Sequence, residues 1–171
     1  GWVAEHTNDP RVKIIEVDVE PAKGYAVGHV KGAIGWNWAT DLCDTTIRDL
    51  IDPKAFAKLA SEAGIKPDDT VVFYGDSNNW FAAWAFWQFK MYGHADVRLM
   101  NGGRKKWELE GRPYTTDAPS VTATQYTAKE PDFSIRAFRD YVAEHVQKGD
   151  VNLVDVRSPD EFTGKILAPE A

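Results

Sequence analysis

TVVFYGDSNNWFAAWAFWQFKMY, residues 70–92, decides the fold. Thr70 to Tyr74 is an unbroken run of β-branched and aromatic residues. Continuous rather than alternating apolarity marks a strand buried on both faces, the habit of parallel sheets. Gly75-Asp76-Ser77-Asn78-Asn79 follows, all residues of turns. Trp80 to Tyr92 is then apolar on nearly every side, which predicts a helix enclosed by other elements, and Gly93 ends it. A strand, a polar loop and a helix in this order put the loop beyond the carboxyl end of the strand, where α/β sheets bind their ligands.

The flanking sequence repeats the alternation. Residues 2–6 read as the end of a short helix and Lys13 to Val19 (KIIEVDV) as a buried strand. Gly24, Gly28, Gly32 and Gly35 break the next stretch into irregular chain. Asp52-Pro53 opens a helix as N-cap and first helical residue; Phe56, Leu59, Ala60 and Ala63 recur on one face, and Gly64 stops it. Val97 to Met100 is a third short strand, and Asn101-Gly102-Gly103 leads into a small helix ending near Gly111. Strands alternating with helices predict an α/β domain, a central parallel sheet flanked by helices on both faces. Residues 112–133, rich in Thr and broken by Pro113, Pro119 and Pro131, lack an apolar period and read as a linker. Ser134 is placed to cap a helix carrying Phe138, Tyr141, Val142 and His145, ended by Gly149, and Val151 to Val156 reads as another buried strand. Val17-Asp18-Val19-Glu20-Pro21 before Tyr25 is echoed by Asp155-Val156-Arg157-Ser158-Pro159 before Phe162, a short internal repeat. The expected organisation is a first domain over 1–111, a linker over 112–133, and over 134–171 the beginning of a second, truncated copy, too short to bury a core alone.

Bulk properties exclude several function classes. The 171 residues carry a formal net charge of −6, against a nucleic-acid partner. No apolar run reaches the roughly 18 residues of a membrane span, and no charged-then-apolar leader stands at Gly1. Cys43, the one cysteine, has no partner for an intrachain disulfide and rules out a cysteine-rich metal site. It suits a reducing cytoplasm, with a processed periplasmic form as the alternative. No pair of His or carboxylates has metal-ligand spacing, and no cofactor motif is present.

The ordered segments Glu16-Val17-Asp18, Gly28-His29-Val30-Lys31-Gly32-Ala33, Gly35-Trp36-Asn37-Trp38, Thr70 to Asp76, Trp80-Phe81-Ala82-Ala83, Tyr92-Gly93-His94, Asn101-Gly102-Gly103 with Trp107, Ile135-Arg136-Ala137-Phe138 and Val154 to Pro159 cover nearly the whole chain. Together they resemble the tandem-domain rhodanese family, the thiosulfate sulfurtransferases. The resemblance implies two α/β domains, the first catalytically silent. In the second, a cysteine opening a six-residue loop takes sulfane sulfur from thiosulfate as a persulfide and passes it to cyanide or another thiophilic acceptor. It implies small-molecule sulfur donors and acceptors as partners, together with the remainder of the second rhodanese domain, on the same or a separate chain. In vertebrate relatives an arginine precedes the aromatic of the second-repeat segment; here Glu161 stands there.

Persulfide chemistry needs a thiolate, which loop N–H groups and a helix N-terminus both favour. The loop Gly75, Asp76, Ser77, Asn78, Asn79 has that arrangement without the thiol, a pseudo-active site. Two readings of Asp76 stand open: it, or a nearby Asn, caps the following helix, or its carboxylate is a fixed surrogate for the sulfur anion. Cys43 lies between Asp41 and Asp44, whose charge raises a thiol's pKa, and reads as passive. His29 and His94, each beside a turn glycine, read as structural. Trp36, Trp38, Trp80 and Phe81 belong either to the core or to an apolar cleft wall, the resemblance favouring the cleft for Trp36. Substrate contacts are expected at Trp36, Trp80 and Arg157, with an ion pair to a carboxylate as the other reading of Arg157. A part of a sulfurtransferase is the expected function. The alternative is a non-catalytic binding or regulatory module of the same fold. A phosphatase relative needs a Cys-x5-Arg loop, which the sequence lacks.

Overall fold

The computed structural model describes residues 1–167. Four parallel strands, β1 (Val12–Asp18), β2 (Ile34–Asn37), β3 (Thr70–Tyr74) and β4 (Asp96–Leu99), lie in the order β2-β1-β3-β4. β1 and β3, the two most apolar, are central, paired from Val12↔Thr70 to Glu16↔Tyr74. Side chains alternate across β1. Ile15 and Val17 join one core with Phe73, Phe56 of α3 (Pro53–Glu62) and Phe89 of α4 (Trp80–Met91). Ile14 joins a second with Val72, Tyr74, Val3 of α1 (Trp2–His6) and Trp107 of α5 (Gly103–Leu109). The helices thus cover both faces of the sheet. Short α2 (Trp38–Asp41) follows β2, started by Asn37, whose side chain accepts from the Ala39 and Thr40 N–H groups.

Asp52 caps α3 as its sequence demands, accepting from the Ala55 N–H. β2 is a correction, since its glycine had suggested irregular chain. Gly35 is there because a Cβ would stand 2.6 Å from the Tyr25 ring, and a strand glycine marks such an approach. α4 is also less enclosed than its composition predicts. Ala82, Ala85, Gln88 and Phe89 are buried, while Trp80 and Ala83 are exposed and Trp84 and Trp87 half-buried.

Two compact units divide between Phe133 and Ser134. Residues 112–133 belong to the first as a strap bonded along its surface. Thr115 pairs with His29, Thr124 donates from Oγ1 to the Ile65 carbonyl at 2.6 Å, and the Tyr126 N–H donates to Ser61 Oγ at 2.9 Å. In the second unit the helix is α6 (Arg139–Lys148), and Phe138 rather than Ser134 is its N-cap. Ser134 lies in a single turn, Phe133–Ile135, with Arg136 and Ala137 unwound between turn and helix. Residues 151–156 form no strand; Leu153, Val154 and Val156 are exposed, Val156 to 92%. A buried strand needs neighbours to bond, and the described residues of this unit supply none. α7 (Pro159–Phe162) is held by a capping box between Ser158 and Glu161.

Candidate functional site

The carboxyl ends of β1, β3 and β4 converge on the loop after Tyr74. Gly75 must be glycine, since a Cβ would drive into the Val17 carbonyl oxygen of the neighbouring strand. Ser77, Asn78 and Asn79 then take three successive left-handed conformations, φ 45, 57 and 66°. Such residues strain the backbone unless their surroundings hold them, and sites of function are where that occurs.

Asn79 does the holding. Its Oδ1 accepts from the Gly75 N–H at 3.1 Å, and its Nδ2 donates to the Met100 carbonyl at 2.8 Å. Its amide therefore fills the inside of the loop and ties it to the end of β4. Gly103, at φ 55°, leaves room for that amide and for the Gly75 carbonyl, 2.8 Å from where its Cβ would be. The Arg104 N–H closes the arrangement by donating to the Gly75 carbonyl at 3.0 Å. Asp76 is exposed and its side chain caps neither the turn nor α4. The capping expectation for Asp76 is corrected, because an Asn with both donor and acceptor is the better bracket between an N–H and a carbonyl. Asp76, Ser77 and Asn78 border an open cavity of about 500 Å³ with Arg104, Lys105 and Glu108 on its other side.

Beneath the loop lie two buried carboxylates. Glu16 accepts from the Tyr74 hydroxyl and from Arg104, which also pairs with Glu108 at 3.3 Å and lies over the Tyr114 ring at 4.5 Å. Burial pushes the Glu16 carboxyl up to about 7, against the Tyr74 hydrogen bond and the Arg104 charge, with Asp18 adding to the rise. Asp18 is raised too, first by burial and then by the Asp76 charge, although the Tyr25 N–H donates to it at 3.1 Å. None of these partners was singled out by role in the sequence. The available signal was two acids two residues apart in KIIEVDV, on one face of an otherwise apolar strand, since buried carboxylates must be paired.

The other candidates are dispersed. Trp36 is 4% exposed and packs with Phe73 and Phe89 at 6.0 Å, so its ring is core; Trp80, 63% exposed and stacked on Phe81, follows the loop directly. Cys43 is buried beyond α2, bridged to Leu50, and burial lifts its thiol to about 11, with Arg48 opposing and Asp49 adding. The rise comes from burial first, not from Asp41 and Asp44. His29 lies between the Tyr25 and Asp117 carbonyls at 2.9 and 3.1 Å. His94 lies between the Tyr126 hydroxyl and the Asp69 carbonyl, both at 2.9 Å. Arg157, in the second unit, grips Asp155 at 2.7 Å. No cluster of three potential metal ligands and no helix long and apolar enough to cross a membrane occurs among the described residues.

Residues 1–110 match the rhodanese-like domain. The chain belongs to the rhodanese family. It is 55% identical over 98% of its length to a Mycolicibacterium smegmatis protein named "Putative thiosulfate sulfurtransferase", and 52% identical over 96% to the sulfur carrier protein TtuD of Thermus thermophilus. It spans 60% and 59% of those two relatives. SseA from Escherichia coli, described as a 3-mercaptopyruvate sulfotransferase of rhodanese fold, superposes with a TM-score of 0.81 at 22% identity, over 96% of this chain and 66% of its own. At that identity the likeness concerns the fold. In the rhodanese unit of the present chain, the loop Gly75 to Asn79 joins β3 to α4 without a thiol.

Proposed function

We propose that this chain is the first, catalytically silent domain of a two-domain cytoplasmic thiosulfate sulfurtransferase, followed by the start of the second. The reaction moves sulfane sulfur from thiosulfate to a thiophilic acceptor such as cyanide. A cysteine supplied by second-domain sequence beyond residue 171 takes the sulfur as a persulfide, releasing sulfite, and gives it to the acceptor as the thiolate re-forms. The observation that carries this reading is the loop after β3. It stands where a sulfur-bearing loop belongs, yet its interior is filled by Asn79 and its exposed acid is Asp76. A carboxylate cannot carry sulfane sulfur, and Cys43 is buried as a neutral thiol. The exposed Leu153, Val154 and Val156 fit a strand waiting for the sheet of a second domain, on the same chain or a separate one. Exposed Trp80 and the rim of Asp76, Ser77 and Asn78 then serve as wall rather than machinery, with Arg157 held by Asp155 near the start of that second domain.

Thiocyanate formation from thiosulfate and cyanide tests it. Residues 1–171 alone give no turnover above buffer, and the protein extended through the second domain does, with activity unchanged by Cys43→Ser. Turnover by residues 1–171 that Cys43→Ser removes makes Cys43 the carrier and ends this reading. An extended protein with no second-domain cysteine leaves a binding or regulatory module.

A further inference from the structure

Glu16 holds the start of the loop through two partners. One carboxylate oxygen takes the hydroxyl of Tyr74, the residue immediately before Gly75. The other takes Arg104, whose own backbone N–H holds the Gly75 carbonyl at 3.0 Å. The three groups are enclosed: Glu16 is fully buried and the Arg104 side chain is 12% exposed. The Tyr74 oxygen also receives the Val30 N–H at 2.9 Å, while its proton goes to Glu16.

We infer that Glu16 is a proton-operated latch: ionised, it clamps the Gly75–Asn79 loop through Tyr74 and Arg104, and on taking up one proton it releases that clamp. The chemistry is a donor conflict. A carboxylate accepts from both partners, whereas a carboxylic acid carries a proton on one oxygen. Protonated toward Arg104, it loses the ion pair and faces a guanidinium donor. Protonated toward Tyr74, it sets two O–H donors against each other. Either way a buried donor is left unmatched, which a rigid site does not tolerate. Arg104 keeps Glu108 at the cavity edge as its second partner, so a released guanidinium has somewhere to go.

The titratable groups around Glu16 are few. Asp18 lies on the same strand, its Oδ1 buried without a hydrogen-bond partner, and faces Asp76 of the loop. Tyr25 and His29, stacked at 3.8 Å, come from the turn after β1, Tyr74 from β3, Arg104 and Glu108 from α5, and Tyr114 from the strap. Burial pushes all three tyrosines away from ionisation. Of the two carboxylates beneath the loop, only Glu16 bonds both of its supports, and its rise to about 7 places the exchange near neutrality. The inference is independent of any sulfur chemistry, so it stands or falls apart from the proposed activity.

Carboxyl-carbon and amide NMR of the intact protein, between about pH 3.5 and 8.5, tests it. The Glu16 carboxyl is expected to titrate near 7. The Gly75, Asn79 and Arg104 amides follow with the same midpoint, and loop amide protection falls about tenfold on the acid side. The shared midpoint disappears in Glu16→Gln and persists in Asp18→Asn. A Glu16 midpoint in the ordinary range near ~4.3 overturns the latch, as do loop amides that stay flat while Glu16 titrates. Persistence in Glu16→Gln, or loss in Asp18→Asn, also overturns it. Should Glu16→Gln not fold, the wild-type carboxyl and amide curves decide alone.

Discussion

Replacing Asn79 by alanine tests how the loop is held. The change removes two hydrogen bonds: the buried Gly75 N–H is left unmatched, while the Met100 carbonyl keeps the Gly103 N–H at 3.0 Å. An unmatched buried donor costs about 1–3 kcal/mol and a lost ordinary hydrogen bond about 1 kcal/mol; Asn79 is half-buried and water reaches part of it, so the lower end applies, about 2 kcal/mol for the two together. Alanine must also adopt φ 66°, for about 1–2 kcal/mol more. The expected loss for Asn79→Ala is therefore about 3–4 kcal/mol. Glycine takes the left-handed conformation freely but adds about 0.5–1 kcal/mol of chain entropy, so Asn79→Gly is expected to fall about 0.5–1 kcal/mol short of the alanine loss. Asp76→Ala, three residues away on the exposed rim, stays within about 0.5 kcal/mol of wild type. Urea unfolding followed by far-UV circular dichroism, with the slope checked for constancy, measures all three. Asn79→Ala as stable as wild type, or Asn79→Gly less stable than Asn79→Ala, refutes the bracket. A loss of about 1 kcal/mol in Asp76→Ala restores Asp76 as a cap.

Four further outcomes follow from the same contacts. Gly75→Ala costs more than about 3 kcal/mol, or does not fold, because the new Cβ meets the Val17 backbone; a soluble protein with an unchanged urea midpoint contradicts this. Cys43 reacts with a disulfide reagent at about pH 8 at least a hundredfold more slowly in the folded protein than in urea, given a thiol lifted to about 11; equal rates mean it is accessible. Burial lowers His94, so the fold binds fewer protons there than the unfolded chain, and stability falls as pH drops below about 6.5. Glu16 acts with the opposite sign: its contribution is full below 4.5 and lost as pH climbs to about 7, so the His94 slope is read in Glu16→Gln and vanishes in the double variant with His94→Gln. Asp76→Cys gains no thiocyanate turnover in residues 1–171, and appreciable turnover there shows that the loop lacked only the sulfur.

The central strands and α3 were legible because their signals are local. TVVFY is an unbroken β-branched and aromatic run, KIIEVDV is rich in β-branched residues, and Asp52-Pro53 is a complete helix start. β2 was not, because Gly35 reads as a breaker until Tyr25, ten residues earlier in the chain, is known to lie against it. Residues 151–156 carry a genuine strand signal, but pairing is a property of two segments, and the described second unit offers no partner. The loop after Tyr74 was found by position, while its support was not. Asn79, Arg104 and Glu16 meet only when β1, β3 and α5 are brought together, and nothing local distinguishes Asn79, which folds inward, from exposed Asn78.

The same contacts give the loop after β3, which has no thiol, a role in shaping the fold. A persulfide site must be electropositive and leave its backbone N–H groups free to face the sulfur. Here the Gly75 N–H is already spent on Asn79, and two buried acids lie beneath with Arg104 shared between Glu16 and Glu108. That arrangement suits shape. It fixes the end of β3 to β4 and α5, and it sets the first turn of α4, from which Trp80 projects, in one orientation. Removing the Asn79 bracket therefore disturbs the placement of exposed Trp80, whereas changing Asp76 alters only the charge of the rim. The strained left-handed run of Ser77 to Asn79 is retained as the means of turning the chain from β3 into α4 within five residues.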